Sequence, residues 1–110
     1  MDVNVEKVGQ VTVVEIAGDI DGKTAPEVQQ QILPLIQPGI RILLDMTQVS
    51  YMSSAGLRML LSTYRQVSGN GGRVVLVGLS DDIKDTMSVT GFLRFFTTCE
   101  TVEAGLAALE

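Results

Sequence analysis

The sequence predicts an α/β domain, with a mixed sheet of four to five strands and about four helices. Short runs of branched apolar residues recur along the chain, and such runs indicate buried strands. Segments with apolar residues three and four positions apart alternate with these runs and indicate helices. The first two runs are separated only by Gly9-Gln10, which predicts an antiparallel hairpin. The later alternation predicts parallel strands joined by helical crossovers.

The first part of the chain is expected to hold the hairpin, a polar loop and one helix. Strands are predicted over Val3–Val8 and Val11–Ala17, and the loop Gly18–Lys23 follows. The segment Thr24–Glu27 predicts a helix start, because threonine followed three residues later by glutamate is the pattern of a capping box. Pro34 is expected to kink the last turn of this helix.

The middle of the chain predicts a strand, a polar loop, a helix and another strand. The first strand covers Ile40–Leu44 and is expected to end at Asp45, and a helical period begins at Ala55. The glycine-rich segment Gly69–Gly72 follows this helix and precedes the strand Val74–Val77. A dinucleotide-binding fingerprint has the opposite order, strand then glycines then helix, so these glycines indicate a turn.

The last part of the chain predicts two capped helices. Ser80 is expected to cap a helix over Asp81–Val89, whose acidic first turn suits the helix dipole. The apolar segment Phe92–Phe96 is interpreted as an edge strand. Thr101 is expected to cap the final helix.

Composition and charge limit the possible functions. The 110 residues suit one domain, 1–110, and 45% hydrophobic residues suffice for a core. A net charge of −5 argues against binding to nucleic acid or to an anionic membrane surface. No stretch reaches the roughly 20 apolar residues of a membrane span, and no signal-peptide pattern opens the chain. A cytoplasmic protein is therefore expected.

The residues of common catalytic and metal sites are scarce. Histidine is absent, which excludes a Ser-His-Asp triad and histidine-based metal binding. Cys99 is the single cysteine, so neither an internal disulfide nor a cysteine zinc site can form. Asp19 and Asp21, with Asp45, could hold a divalent cation, but solvated loop acids are much commoner. The expectation is a protein that is not an enzyme and needs neither metal nor cofactor.

The serines between the central strand and helix are the best functional candidates. Ser50, Ser53 and Ser54 lie there, where unpaired backbone N–H groups and the helix dipole favour negative charge. A hydroxyl at this point could carry a phosphate without unfolding the domain. The alternative is an ordinary helix cap, because serine is among the preferred capping residues.

Three segments resemble the STAS domain family, and most closely its bacterial anti-sigma factor antagonists. The central one is Asp45–Leu57, which reads DMTQVSYMSSAGL. The second is Gly18–Asp21 followed by Thr24-Ala25, which is similar to the loop before the first helix of that family. Gly91-Phe92, Phe95 and the helix after Thr101 are similar to its C-terminal part.

The resemblance implies a phosphoprotein that regulates transcription by binding another protein. An anti-sigma factor, a GHKL-type serine kinase that uses ATP, would phosphorylate a serine at the start of the central helix. The unphosphorylated protein would bind this kinase and free a sigma factor, and a PP2C-type phosphatase would restore that form. The match of the -S-x-G-L- pattern makes Ser54 the phosphoacceptor. The family often has aspartate at the position of Ser53, so two adjacent hydroxyls remain candidates.

The same resemblance implies a surface for the partner and leaves two rival functions open. The surface is expected to include Asp19, Asp21, Thr24, Ser53, Ser54, Gly56 and Arg58. One rival is a constitutive scaffold, or a regulatory subunit of a sensor or transporter-associated complex, in which Ser54 is only a cap. The other is a small enzyme or nucleotide-binding protein.

Overall fold

The computed structural model describes residues 1–110. Nine regular elements follow one another, and short 3₁₀ turns at Leu33–Leu35 and Leu93–Phe95 follow α1 and α3. The elements are β1 (Asp2–Val8), β2 (Val11–Ala17), α1 (Ala25–Ile32), β3 (Arg41–Gln48), α2 (Ser54–Gly69), β4 (Arg73–Val77), α3 (Asp81–Val89), β5 (Thr97–Cys99) and α4 (Val102–Leu109).

The strands form one five-stranded sheet in the order β1-β2-β3-β4-β5. The β1–β2 hairpin is antiparallel and every later pair is parallel, which confirms the predicted mixed α/β fold. Because β2, β3 and β4 run in the same direction, the loops that follow them meet at one edge of the sheet. These loops include Gly18–Thr24 and Val49–Ser53, which contain the predicted functional residues.

Each face of the sheet buries its own aliphatic cluster. Helices α1, α2 and α3 pack on one face around the fully buried Ile42 and Leu44, and this cluster contains 20 buried residues. On the other face α4 packs on Leu43 and Val75 in a cluster of six. The division follows from the alternation of side chains along a strand, since neighbouring residues of β3 point to opposite faces.

The central strand is longer than its apolar run predicted. β3 continues past Asp45 to Gln48, so the expectation that Asp45 ends the strand was wrong. Asp45 is paired with Glu15 of β2 and Val77 of β4. Its half-buried carboxylate accepts hydrogen bonds from the backbone N–H and the hydroxyl of Thr47. A polar residue is therefore tolerated inside this strand because the neighbouring strands and a local bond satisfy it.

The segment Phe92–Phe96 is not an edge strand. It forms a 3₁₀ turn, and the edge strand is β5, which pairs with β4 through Val75 and Thr97. The rings of Phe95 and Phe96 instead lie 5.7 and 5.5 Å from the ring of Tyr64 in α2, measured between centroids. Aromatic packing against a helix therefore prevails over the strand propensity of these residues.

Two of the predicted helix caps are present. The Ser80 hydroxyl accepts a hydrogen bond from the Ile83 N–H (3.2 Å), and the Thr101 hydroxyl accepts one from the Ala104 N–H (3.1 Å). None of the helices has the length and apolar character required to cross a bilayer.

Candidate functional site

The first turn of α2 places Ser54 on the surface. Ser53 is the N-cap, with extended backbone angles (φ −80°, ψ 176°), and its carbonyl accepts the first helical hydrogen bond from Leu57 N–H at 3.0 Å. Ser54 is the first helical residue and is exposed. The helix thus begins one residue before Ala55. Ser54 is not the cap, which corrects the interpretation of this serine as a capping residue.

The two adjacent serines have opposite surroundings. Ser53 is half-buried, and its Oγ is shielded from solvent and has no hydrogen-bond partner. Its backbone N–H donates to Ile20 O at 2.8 Å, which fixes the residue against the neighbouring loop. A phosphate on Ser53 would place negative charge at an atom that is shielded from solvent and has no hydrogen-bond partner, which is costly. A phosphate on Ser54 would extend into water.

The loop after β2 lies directly beside the loop after β3. Ile20 and Met52 form a parallel bridge, and Ile20 N–H donates to Tyr51 O at 3.0 Å. At the edge of the two loops the Ser50 hydroxyl donates to the carboxylate of Asp19 at 3.2 Å. These bonds place Asp19 on the same edge of the sheet as the start of α2, although the two segments are far apart in the sequence.

Asp21 and Thr24 stabilise the first loop from within. The Asp21 carboxylate accepts hydrogen bonds from the backbone N–H groups of Lys23 (2.9 Å) and Thr24 (3.0 Å). The Thr24 hydroxyl donates to Asp19 O at 2.7 Å and accepts from Asp21 N–H at 2.9 Å. The Thr24 side chain makes no bond to the first turn of α1, so the predicted capping box was wrong. Instead of a cap by Thr24, the Asp21 carboxylate accepts hydrogen bonds from the backbone N–H groups just before α1.

These hydrogen bonds lower the pKa of the Asp21 carboxyl. The backbone N–H of Thr24, and next that of Lys23, hold the pKa of the Asp21 carboxyl below its ordinary value of 3.8. Donors that bond to the charged form of an acid favour that form. Asp21 is therefore a fixed negative charge next to the helix that begins with Ser54.

Gly56 lies beneath the site and not on its surface. It is buried, and a Cβ placed on it would overlap the Met52 side chain and lie 2.9 Å from Cγ2 of Ile20. The first turn of α2 therefore rests directly on the bridge between the two loops. We therefore expect Gly56 to support the partner-binding surface from below, by allowing α2 to pack closely on the two loops.

Arg58 contributes positive charge one turn after Ser54. Both residues are exposed, and Arg58 lines a groove of about 240 Å³ between α1 and α2. The groove also contains Gln29 and Ser62, whose side chains are hydrogen-bonded at 3.2 Å. The groove could not be predicted from sequence, since its walls belong to separate helices. Tyr51, which is 54% exposed beside Ser50, was also missed, and an aromatic residue within a polar loop was its only signal.

The structure thus gathers six of the seven predicted partner-binding residues at one edge of the sheet. These are Asp19, Asp21, Thr24, Ser53, Ser54 and Arg58. A comparison with known protein families decides what kind of domain presents this edge. The family model described as the STAS domain matches residues 2–105. The chain belongs to the STAS domain family. The match spans nearly the whole chain, from β1 into α4.

Two similar proteins are anti-sigma factor antagonists. The anti-sigma-B factor antagonist of Bacillus subtilis is 31% identical over 93 residues, which cover 84% of this chain and 85% of that protein. A crystal structure of an anti-sigma factor antagonist from Mycobacterium paratuberculosis has a TM-score of 0.87 at 27% identity, covering 98% of this chain and 92% of the other.

A third comparison concerns the fold alone. The structure of the Bacillus cell fate determinant SpoIIAA in its phosphorylated form has a TM-score of 0.76 at 20% identity. The match covers 99% of this chain and all of SpoIIAA. This chain therefore shares its fold with SpoIIAA in its phosphorylated form.

Proposed function

We propose that this STAS protein is a bacterial anti-sigma factor antagonist, controlled by phosphorylation of Ser54. In its unphosphorylated form it binds an anti-sigma factor that is a GHKL-type serine kinase, and thereby frees a sigma factor in the cytoplasm. The exposure of Ser54 at the first turn of α2, beside the Asp19–Thr24 loop, is the observation that supports this proposal most strongly.

The surroundings of Ser54 suit a phosphate acceptor. The Ser54 Oγ attacks the γ-phosphorus of ATP, the bond between that phosphorus and the bridging oxygen of ADP breaks, and ADP leaves. The hydroxyl proton passes to a base on the kinase. The product carries about −1.5 to −2 charge at a helix N-terminus, where a negative group gains roughly 0.3–1 kcal/mol. The domain therefore stays folded in both states.

The same charge explains why the phosphorylated form loses its partner. The phosphate adds to the negative charge of Asp19 and Asp21 at the same edge of the sheet. Bringing a partner onto this edge would then require desolvation of three neighbouring anionic groups. A cost of about 3 kcal/mol lowers affinity more than a hundredfold. A PP2C-type phosphatase restores binding, since the ester lies on the surface and is open to hydrolysis.

The difference between the two serines supports Ser54 over Ser53 as the phosphoacceptor. A kinase must reach the hydroxyl oxygen and align it with the γ-phosphate of ATP. The Ser54 residue is exposed, whereas the Ser53 Oγ is shielded from solvent.

The decisive experiment uses the purified cognate kinase and three variants. Intact-mass analysis after incubation with ATP should show one added phosphate on the wild type and on Ser53→Ala, and none on Ser54→Ala. Calorimetry should show that Ser54→Ala binds the kinase as the unmodified wild type does. Ser54→Asp should bind at least about a hundredfold more weakly.

Two results would reject the proposed switch. Equal binding by Ser54→Ala and Ser54→Asp would mean that charge at this position does not control the interaction. Absence of phosphate on the wild type would favour the constitutive scaffold of a sensor or transporter-associated complex. Nucleotide binding by the isolated protein, measured by calorimetry with ATP and GTP, would instead favour a small enzyme or nucleotide-binding protein.

A further inference from the structure

Arg58 is positioned to interact with any group attached to Ser54. The two residues are four positions apart in α2, and both are exposed. Helical residues at this spacing lie on the same face, with Cβ atoms about 5–6 Å apart. The arginine side chain is long enough to bridge that distance, and its planar guanidinium can donate two parallel hydrogen bonds to phosphate oxygens.

Arg58 has no competing carboxylate in its part of the chain. No aspartate or glutamate occurs between Met46 and Ser80, whereas three arginines do, so this stretch carries a charge of +3 in a chain of −5. The one ion pair in the structure joins Lys84 and Glu100. The guanidinium of Arg58 is therefore uncommitted before phosphorylation and free to meet a negative group.

We infer that Arg58 is the residue that transmits the phosphorylation state of Ser54 to the partner. In the unphosphorylated chain Arg58 presents its positive charge to an acidic patch on the kinase. In the phosphorylated chain the phosphate on Ser54 forms an ion pair with Arg58 and withdraws it from that patch. This inference rests on the proposed function, and it adds that phosphorylation acts twice, by adding a negative charge and by removing a positive one.

The geometry of the helix favours this pair and supplies a matched control. An acidic group that precedes a basic one by four residues has the favourable orientation in a helix, and a phosphate on Ser54 would also lie at the positive end of the dipole of α2. Arg65 is a second exposed arginine on the same helix, but it lies about 16 Å along the axis from Ser54. Arg65 therefore shares the residue type and helix with Arg58 and lacks only the proximity.

The ion pair can be tested without the kinase. Phosphoserine is incorporated at position 54 during synthesis of the full chain, and its second ionisation, near pH 6 in free phosphoserine, is followed by phosphorus NMR. Arg58→Gln should raise this pKa by about 0.15–0.4 unit relative to the wild-type background, because the dianion loses its counter-ion. Arg65→Gln should leave it unchanged. Equal pKa values in all three chains would overturn the inference.

The role of Arg58 toward the partner needs a binding cycle with the purified kinase. Arg58→Gln should weaken binding of the unphosphorylated chain at least about fivefold. Phosphorylation should then lower the affinity of both chains, but the fold-loss in the wild type should be at least about five times larger than the fold-loss in Arg58→Gln. Phosphorylation should affect Arg65→Gln as much as the wild type.

The two experiments separate failure of this inference from failure of the proposed function. A phosphorylation effect that is equally large in Arg58→Gln and in the wild type would overturn the inference while leaving the switch intact. A kinase that neither binds nor phosphorylates the chain would reject the proposed function, and the inference with it. The pKa comparison would still decide in that case whether the ion pair forms.

Discussion

Substitution of Gly56 by alanine tests how closely the first turn of α2 must approach the paired loops. A methyl group at this position would overlap the Met52 side chain and lie 2.9 Å from Cγ2 and 3.2 Å from the carbonyl oxygen of Ile20. The Met52 side chain can rotate away, but Ile20 is fully buried and its carbonyl is bonded to Ser53 N–H. The helix start must therefore move away from the loop.

The expected cost follows from two opposing effects. Overpacking of a buried contact by one methyl group costs about 1–3 kcal/mol. Replacement of glycine by alanine inside a helix raises the free energy of unfolding by about 0.5–1 kcal/mol, because it reduces the entropy of the unfolded chain. The free energy of unfolding should thus fall by roughly 1–2 kcal/mol. For a domain of this size the melting temperature should fall by about 4–12 °C.

Gly69 offers a control with the same substitution in the same helix. It is the last residue of α2, and a Cβ placed on it would meet no atom within 4 Å. Gly69→Ala should therefore be neutral or stabilise by up to about 1 kcal/mol. Urea unfolding followed by circular dichroism measures both variants. If Gly56→Ala proved as stable as Gly69→Ala, the close packing of α2 on Ile20 and Met52 would be refuted.

Three further predictions concern single side chains. Asp21→Asn should remove a pH dependence of the free energy of unfolding. Because folding lowers the pKa of Asp21, its carboxylate contributes fully to stability above about pH 4, and the contribution is lost as pH falls through the lowered pKa. Urea midpoints of wild type and variant should converge below pH 4, and a constant difference down to pH 2 would contradict this. Ser53→Ala should leave thermal stability unchanged or raise it, because the Oγ removed is buried without a partner, and a fall above about 1 kcal/mol would show that this hydroxyl is bonded. Thr101→Ala should lower unfolding free energy by about 0.5–2 kcal/mol through loss of a cap, while calorimetry shows unchanged kinase binding. Weakened binding would mean that α4, on the opposite face from α2, also affects the partner.

Much of the fold could be predicted because its signals are local. The β1–β2 hairpin, the helices after Ser80 and Thr101 and the parallel order of the later strands each follow from apolar spacing, turn residues or caps within a few positions. The predictions that were wrong involve residues whose partners lie on other elements. Phe95 and Phe96 pack on Tyr64, and Asp45 remains in a strand because strands on both sides pair with it.

The site shows the same division. The sequence alone was enough to identify a serine at a helix start, the loop Gly18–Lys23 and a resemblance that the family match confirms. Only the tertiary structure decided that Ser54 faces water while the Ser53 Oγ is buried, that Gly56 is a packing residue, and that Asp19 meets Ser50 across 31 positions of chain. The physical reason is that helix caps and periods depend on neighbours in sequence, whereas exposure depends on which distant loop covers each atom.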